Sequence, residues 1–303
     1  MRYSGIGGQA VMEGVMMKNE DKYAVAVRKP DNEIAVEVHD CNGISKNKNL
    51  KKIPLVRGVV NFIESLTLGM GSLLESASYF EDEEDESEKK GKDDDSDKFA
   101  MGGVVFSSVA LAVIIFMIIP YGVSLFFERY ISSGFAIAAI EGVLRLVIFI
   151  GYIGGISLME DIKRVYMYHG AEHKCINCIE SGLDLTVENV RKSSKEHKRC
   201  GTSFLLFVML VSIILFMFIQ VDSRLLRLVL RLLLIPVIAG ISYEFIRLAG
   251  RSDNILVNII SKPGLWMQKL TTREPDDNMI EVGIASVEAV FDWKKYVEEI
   301  KNS

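Results

Sequence analysis

The sequence predicts an α-helical membrane protein with four transmembrane helices plus a cytoplasmic α+β portion. The cytoplasmic part comprises a small N-terminal β unit, a His/Cys loop and a C-terminal helix. Three observations predict this class. Apolar runs at 99–127, 134–159, 203–221 and 225–249 are each long enough to cross a hydrocarbon core of roughly 30 Å. Hydrophobic residues make up 49% of the chain and charged residues 25%, and the two are segregated along it. The first fifty residues instead alternate apolar and polar positions, which is the strand period. A large soluble helical bundle is the competing class, and four recurrences of a membrane-length run weigh against it.

Residues 1–80 read as a cytoplasmic β unit with amphipathic helices. The stretch YAVAVRKPDNEIAVEV is two alternating runs around Pro30-Asp31-Asn32, a turn composition. Glycines 5, 7, 8 and 14 flank Gln9–Glu13 and suggest a tight strand with close backbone approach. The Gly-rich run is not a nucleotide loop, because no Gly-Lys-Ser/Thr follows and no strand precedes it. Residues 53–80 are helical in period, with Arg57, Asn61, Glu64 and Ser65 on a polar face. They suggest an amphipathic helix pair, packed on the β unit or lying at the membrane surface. Residues 81–98 hold eleven acids and four lysines and read as a disordered linker. That tract accounts for the net charge of −5, so the acidity indicates no partner, and no nucleic-acid partner is expected.

Residues 99–159 supply transmembrane helices one and two, and 203–249 supply three and four. The 160–202 loop holds Lys163, Arg164, Lys174, Arg191, Lys192, Lys195, Lys198 and Arg199, whereas connections 128–133 and 222–224 hold one arginine each. The excess of basic residues places that loop and both termini in the cytoplasm of a bacterial, multi-pass membrane protein whose certain partner is the lipid bilayer. The N-terminus lacks a basic segment followed by an apolar core, so no signal peptide is expected. In the tail, 250–303, Pro263-Gly264 reads as a break and Trp266 as an interface anchor. Asp276 or Asp277 is placed to cap a final helix reaching about residue 300.

Charges fall inside the spans, among them Glu141 and Arg145 in the second and Arg227 and Arg231 in the fourth. Glu141 in the second and Arg231 in the fourth lie roughly 10 Å deep from the same end, at about 1.5 Å per residue. Intramembrane charges are costly enough to seek partners, so Glu141 is expected to pair with Arg231 or Arg227. A lock between the two spans is favoured over an ion path, which needs more acidic groups.

The candidate site is the loop running from HGAEHKCINCIE to HKRCGTS. His169 and His173 are four apart, one turn on a helix face, which suits chelation of one metal. Glu172 completes His-x-x-Glu-His, the inverted zinc-peptidase pattern, where the glutamate is a general base. The bland alternative is two exposed histidines on a polar helix. A second ligand set competes: Cys175-x2-Cys178, then His197-x2-Cys200, a four-ligand spacing that would close the sphere around a structural zinc. In a mixed set, His169 and His173 are joined by Cys200 or His197, with Glu180 or Glu188 as an acidic ligand. Thr186 caps a helix VENVRKSSKEH that would carry His197 back toward the first. A third option makes Cys200 a nucleophile, because Lys198 and Arg199 favour its thiolate.

GGQAVMEGVMM, YHGAEHK, LTVENV, the His-x-Arg-Cys-Gly-Thr-Ser closure and LTTREPDD together resemble the YqhQ-like family of bacterial integral membrane proteins. The resemblance covers essentially the whole chain. It implies a predicted metal-dependent enzyme, with a motif matching His169, Glu172, His173, His197 and Cys200 but not Cys175 or Cys178. Lys198 stands where the family pattern has proline. The leading expectation is a divalent-metal site, zinc the expected ion, supporting hydrolysis at the cytoplasmic membrane face. The alternative is a non-enzymatic scaffold or assembly factor with a structural metal. Neither reading names a substrate or a protein partner.

Overall fold

Four strands open the chain: β1 (Gly7–Val11), β2 (Gly14–Asn19), β3 (Lys22–Arg28) and β4 (Ile34–Asp40), paired antiparallel in sequence order. The computed structural model describes residues 3–41, 52–80, 94–219, 221, 223–250, 252 and 254–302. The β3–β4 turn is the expected one: Asn32 takes φ 69° and Asp31 accepts from the Glu33 N–H at 3.0 Å. Where the sequence suggests one tight strand around Gln9–Glu13, a hairpin forms, with Glu13 at φ 48° in its turn. Alternation sorts the side chains. Val15, Met17 and Ala26 face one apolar cluster, and Val11, Met16, Val25 and Val27 face a second with Tyr79 and Phe80. Strands β2 and β3 are therefore covered on both faces, whereas β4 exposes Val36 and Val38.

The helices that follow are α1 (Val56–Ser78), α2 (Asp94–Val113), α3 (Ile119–Phe127), α4 (Gly134–Ile156), α5 (Glu160–Glu180) and α6 (Val187–Lys192). After them come α7 (Gly201–Phe218), α8 (Arg224–Leu233), α9 (Ile235–Ala249), α10 (Ile255–Thr271), α11 (Asp277–Val290) and α12 (Trp293–Lys301). A π-helical turn, Ile114–Ile118, joins α2 to α3. Among the described residues three helices are long and apolar enough to cross a membrane, Gly102–Phe127, Gly134–Ile156 and Gly201–Phe218. The count is four if α8 and α9, bent by 41°, form one span. Pro236 explains the bend, since it lacks an N–H and crowds the preceding turn.

Several local expectations differ from the structure. Residues 53–80 form one helix, not a pair, because Gly69 does not break it: the glycine packs on the Gln9 side chain, which a Cβ would meet at 2.7 Å. Of the expected linker, 81–93 lie outside the described residues and 94–98 begin α2. The second span does not run on into the His/Cys loop. It ends at Ile156, and Met159, extended at ψ 136°, starts α5 afresh. Pro263 does not end α10. The final helix is two, split at Phe291-Asp292, with Asp276 capping the first and Asp292 the second.

Contacts divide the chain into two compact units. One contains Met1–Phe80, Gly155–Phe207 and Ala239–Ser303. Its centre is α5, buried from Gly170 to Glu180 and packed against the sheet and α11. The other contains Glu81–Gly154 and Val208–Ile238. There Glu141 accepts from Arg231 at 2.7 Å and from Arg145 at 2.7 Å, all three buried. Arg145 also donates to Ser212 and to the Phe116 carbonyl in the π turn. Arg227 is not Glu141's partner; it pairs with Glu128 at 2.7 Å, near the start of α8.

Candidate metal centre

A helix buried all round must satisfy every polar side chain it carries. On α5 those are Glu172, His173, Lys174, Asn177 and Glu180. Their partners are mostly backbone carbonyls of one loop. Lys174 donates to Ser193 O at 2.9 Å, and Asn177 to Ser194 O at 2.6 Å and Glu196 O at 3.0 Å. His173 Nδ1 lies 2.6 Å from Lys195 O. Four consecutive carbonyls are thus held against α5. This is why α6 stops at Lys192 instead of carrying on through His197: the 193–196 carbonyls face side-chain donors rather than a helix axis. Thr186 caps α6 as expected, accepting from Asn189 N at 3.3 Å.

His169 is held from another direction. Its Nδ1 is 2.9 Å from the carbonyl of Thr271, the last residue of α10. The segment after Thr271 crosses α5 at Gly170, where a Cβ would meet Arg273 O at 2.0 Å; only glycine admits that crossing. Both carbonyls accept Nδ1–H from the imidazoles, which leaves Nε2 as the ring atom that each histidine would offer to a metal. This is the outer-shell pattern of ligating histidines.

Both Nε2 atoms point toward Cys200. Its Sγ is 3.3 Å from His169 Nε2, and one ligand atom each from His169, His173 and Cys200 lie within 4.8 Å of one another. Gln268 carries the loop into place: His197 N–H donates to its side-chain oxygen at 2.8 Å, and its amide donates to His197 O at 2.7 Å. Cys200 sits at the N-terminus of α7, where Thr202 N–H approaches Sγ at 3.4 Å. Burial by itself would push the Cys200 thiol up, but His169 and His173 hold it well below its usual range. Burial disfavours the imidazolium of His173, yet Cys200 and Glu172 raise it to about 9. His169 is raised by Cys200 in the same way, against its own burial.

Glu172 lies beside this group, its Oε2 3.4 Å from His173 Nε2, and it is buried. The glycine-rich N-terminus packs over it: a Cβ at Gly8 would meet Glu172 Cγ at 2.9 Å. Glu13, from the same stretch, pairs with Arg164 at 2.5 Å and accepts from Tyr168 at 3.2 Å, fixing the sheet to α5.

The other expected residues lie apart from the cluster. His197 is buried, with its ring centroid 5.6 Å from that of His173, and its Nε2 faces Glu180 at 3.8 Å and Arg199 at 3.3 Å. Burial would raise the Glu180 carboxyl, but His197, Arg199 and Ser4 bring it down to about 2. Glu188 pairs with Lys192 on the exposed face of α6. Cys175 is wholly buried against Gly283 of α11, and burial pushes its thiol well up. Cys178 lies 3.5 Å from Asp184 O, its thiol also raised by burial. The Cys-Cys-His-Cys set is therefore not assembled, since these two thiols serve the apolar core. Gln268, the Lys195 and Thr271 carbonyls, Gly8 and Gly170 escape a reading by ligand type. Gly8, Gly170 and Thr271 fall within GGQAVMEGVMM, YHGAEHK and LTTREPDD of the family resemblance, whereas Gln268 and Lys195 fall within none of its motifs.

Residues 53–293 match the family described as "Protein of unknown function (DUF1385)", a range that takes in every residue of the cluster. The chain is 37% identical over 286 residues to the "Uncharacterized protein YqhQ" of Bacillus subtilis (strain 168), covering 92% of this chain and 90% of that protein. No solved structure matches. On the strength of both matches, the chain belongs to the DUF1385, YqhQ-like family.

Proposed function

We propose that His169, His173 and Cys200 hold a divalent metal, zinc by its preference for imidazole and thiolate donors, in a membrane-spanning hydrolase. The observation that carries this reading is the pair of carbonyl-held imidazoles whose ligand atoms come within 4.8 Å of each other and of the Cys200 sulfur. Three protein donors leave a fourth position, and a zinc ion there supplies Lewis-acid chemistry that makes water a nucleophile near neutral pH. In this reading Glu172 takes the proton, supported by its burial and by its position 3.4 Å from a ligand nitrogen. Gly8 and the β1 backbone close over it and restrict bulk water. The candidate spans and the excess of basic residues in 160–202 support a bacterial cytoplasmic-membrane protein with that loop and both termini inside.

Metal analysis of the full chain, purified without chelators, tests the centre. Stoichiometric zinc is expected in the native protein and in Glu172→Gln, and its loss in His173→Ala. Loss of zinc in Glu172→Gln would make the glutamate a fourth ligand and the site structural, which is the scaffold reading. Native protein without metal would sink both.

A further inference from the structure

Helix α10 has two faces with different surroundings. The inner face bears Gln268, which grips the His197 backbone, and Thr271, whose carbonyl holds His169. The outer face bears Ile255, Leu256, Ile259, Ile260, Trp266 and Leu270, with Ile255 78% and Trp266 74% exposed. Lys262 and Lys269, also exposed, lie along it. An apolar stripe with tryptophan and flanking lysines is the composition of a helix lying in the plane of a bilayer interface. Chain continuity points the same way: residues 250–254 alone separate α10 from α9, and Cys200 immediately precedes the candidate span Gly201–Phe218.

A cavity of about 610 Å³ opens beside this helix. Leu265 of α10 and Ser252 of the preceding connection line one part, and Asn177, His197, Lys198 and Arg199 line another. The wall also carries Glu196 and Glu180, the latter engaged by Arg199 and Ser4. The Arg199 guanidinium lies over the Tyr3 ring at 4.3 Å, so a fixed cation stands at the wall. His197 separates the cavity from His173 by one side chain.

We propose that α10 lies in the interface of a lipid bilayer and that the cavity takes the phosphate-bearing headgroup of a membrane lipid, the substrate class of the centre. The helix stripe carries the docking, and Lys198 and Arg199 carry the headgroup binding, on a wall they share with Glu180 and Glu196. That the bound lipid is substrate rests on the metal-centre reading. Its acyl chains stay in the lipid phase beside the apolar face of α10 while the headgroup reaches Lys198 and Arg199.

Two readouts independent of activity test this on the full chain. The sequence has two tryptophans, Trp266 and Trp293. In nanodiscs of brominated phosphatidylcholine, Trp266 emission in a Trp293→Phe background should be quenched, and Trp293 emission in Trp266→Phe should not. Unquenched Trp266 overturns the docking. In maltoside micelles, titration with phosphatidylglycerol should show one saturable lipid, and inorganic phosphate should bind about tenfold more weakly or worse. Leu265→Trp, a lining position on α10, should cut lipid retention about tenfold at unchanged zinc content, with Ser252→Trp as the second cavity-filling variant. Retention unchanged in both variants overturns the headgroup site, and inorganic phosphate binding more tightly than the lipid overturns the lipid source. Lipid retention without zinc would remove the enzyme reading and leave the binding site, whereas zinc without lipid retention would do the reverse.

Discussion

His169 and His173 are one turn apart on α5, but what makes them a pair of Nε2 donors is two carbonyls from distant segments, Thr271 and Lys195. The helical spacing is local and legible in the sequence; the carbonyls are backbone atoms that no residue type announces. Gly170 is the residue on which the Thr271 contact depends. Gly170→Ala must displace the Arg273 backbone, so it is expected to cost about 1–3 kcal/mol and to weaken zinc retention, read by thermal unfolding and metal content. Gly71 of α1, with open space at its Cβ position, provides the control: Gly71→Ala should be neutral or stabilise by up to about 1 kcal/mol. Glu180 gives a pH signature. Its carboxyl is lowered from the usual 4.5 to about 2, so its contribution is complete above pH 4.5 and fades as pH falls toward 2. Native protein should therefore lose more thermal stability between pH 5 and pH 3 than Glu180→Gln does, and equal losses would contradict the Glu180–Arg199–His197 arrangement.

At the scale of elements, α5 and the 193–196 strip form one zipped unit, and the period of the sequence misjudges its ends. VENVRKSSKEH is compatible with a helix by composition, but side-chain donors from α5 claim its later carbonyls. The break after Ile156 and the continuity of α10 through Pro263 likewise depart from the local sequence signals. The buried charges were legible as a cost in need of a partner, though not as a triad, because Arg145 is one turn from Glu141 on the same helix and Arg231 comes from another. Glu141→Gln strands two buried arginines and should destabilise the protein by about 3–5 kcal/mol in a denaturation series. Glu128→Gln breaks the more exposed Arg227 pair and should cost under about 1 kcal/mol. Similar effects for the two variants would refute the lock.

For the molecule as a whole, the four-span reading places 128–133 and 160–202 on opposite sides of a membrane. In a Cys41→Ser chain expressed in intact cells, Ser132→Cys should react with a membrane-impermeant maleimide, and Ser194→Cys should react only after lysis. Labelling of both from outside would overturn the orientation. Length, apolar runs, strand alternation and the His-x-x-Glu-His spacing are properties of neighbouring residues, and the sequence carries them without the fold. It left open whether His197 or Cys200 joins the two histidines, and whether Cys175 and Cys178 are ligands. Those questions turn on residues 22 to 102 positions apart in the chain, as the Lys195 and Thr271 contacts are. Only the folded chain, with Gln268 gripping His197 and Gly170 admitting the Arg273 backbone, brings Cys200 to the two imidazoles and leaves the other thiols in the apolar core.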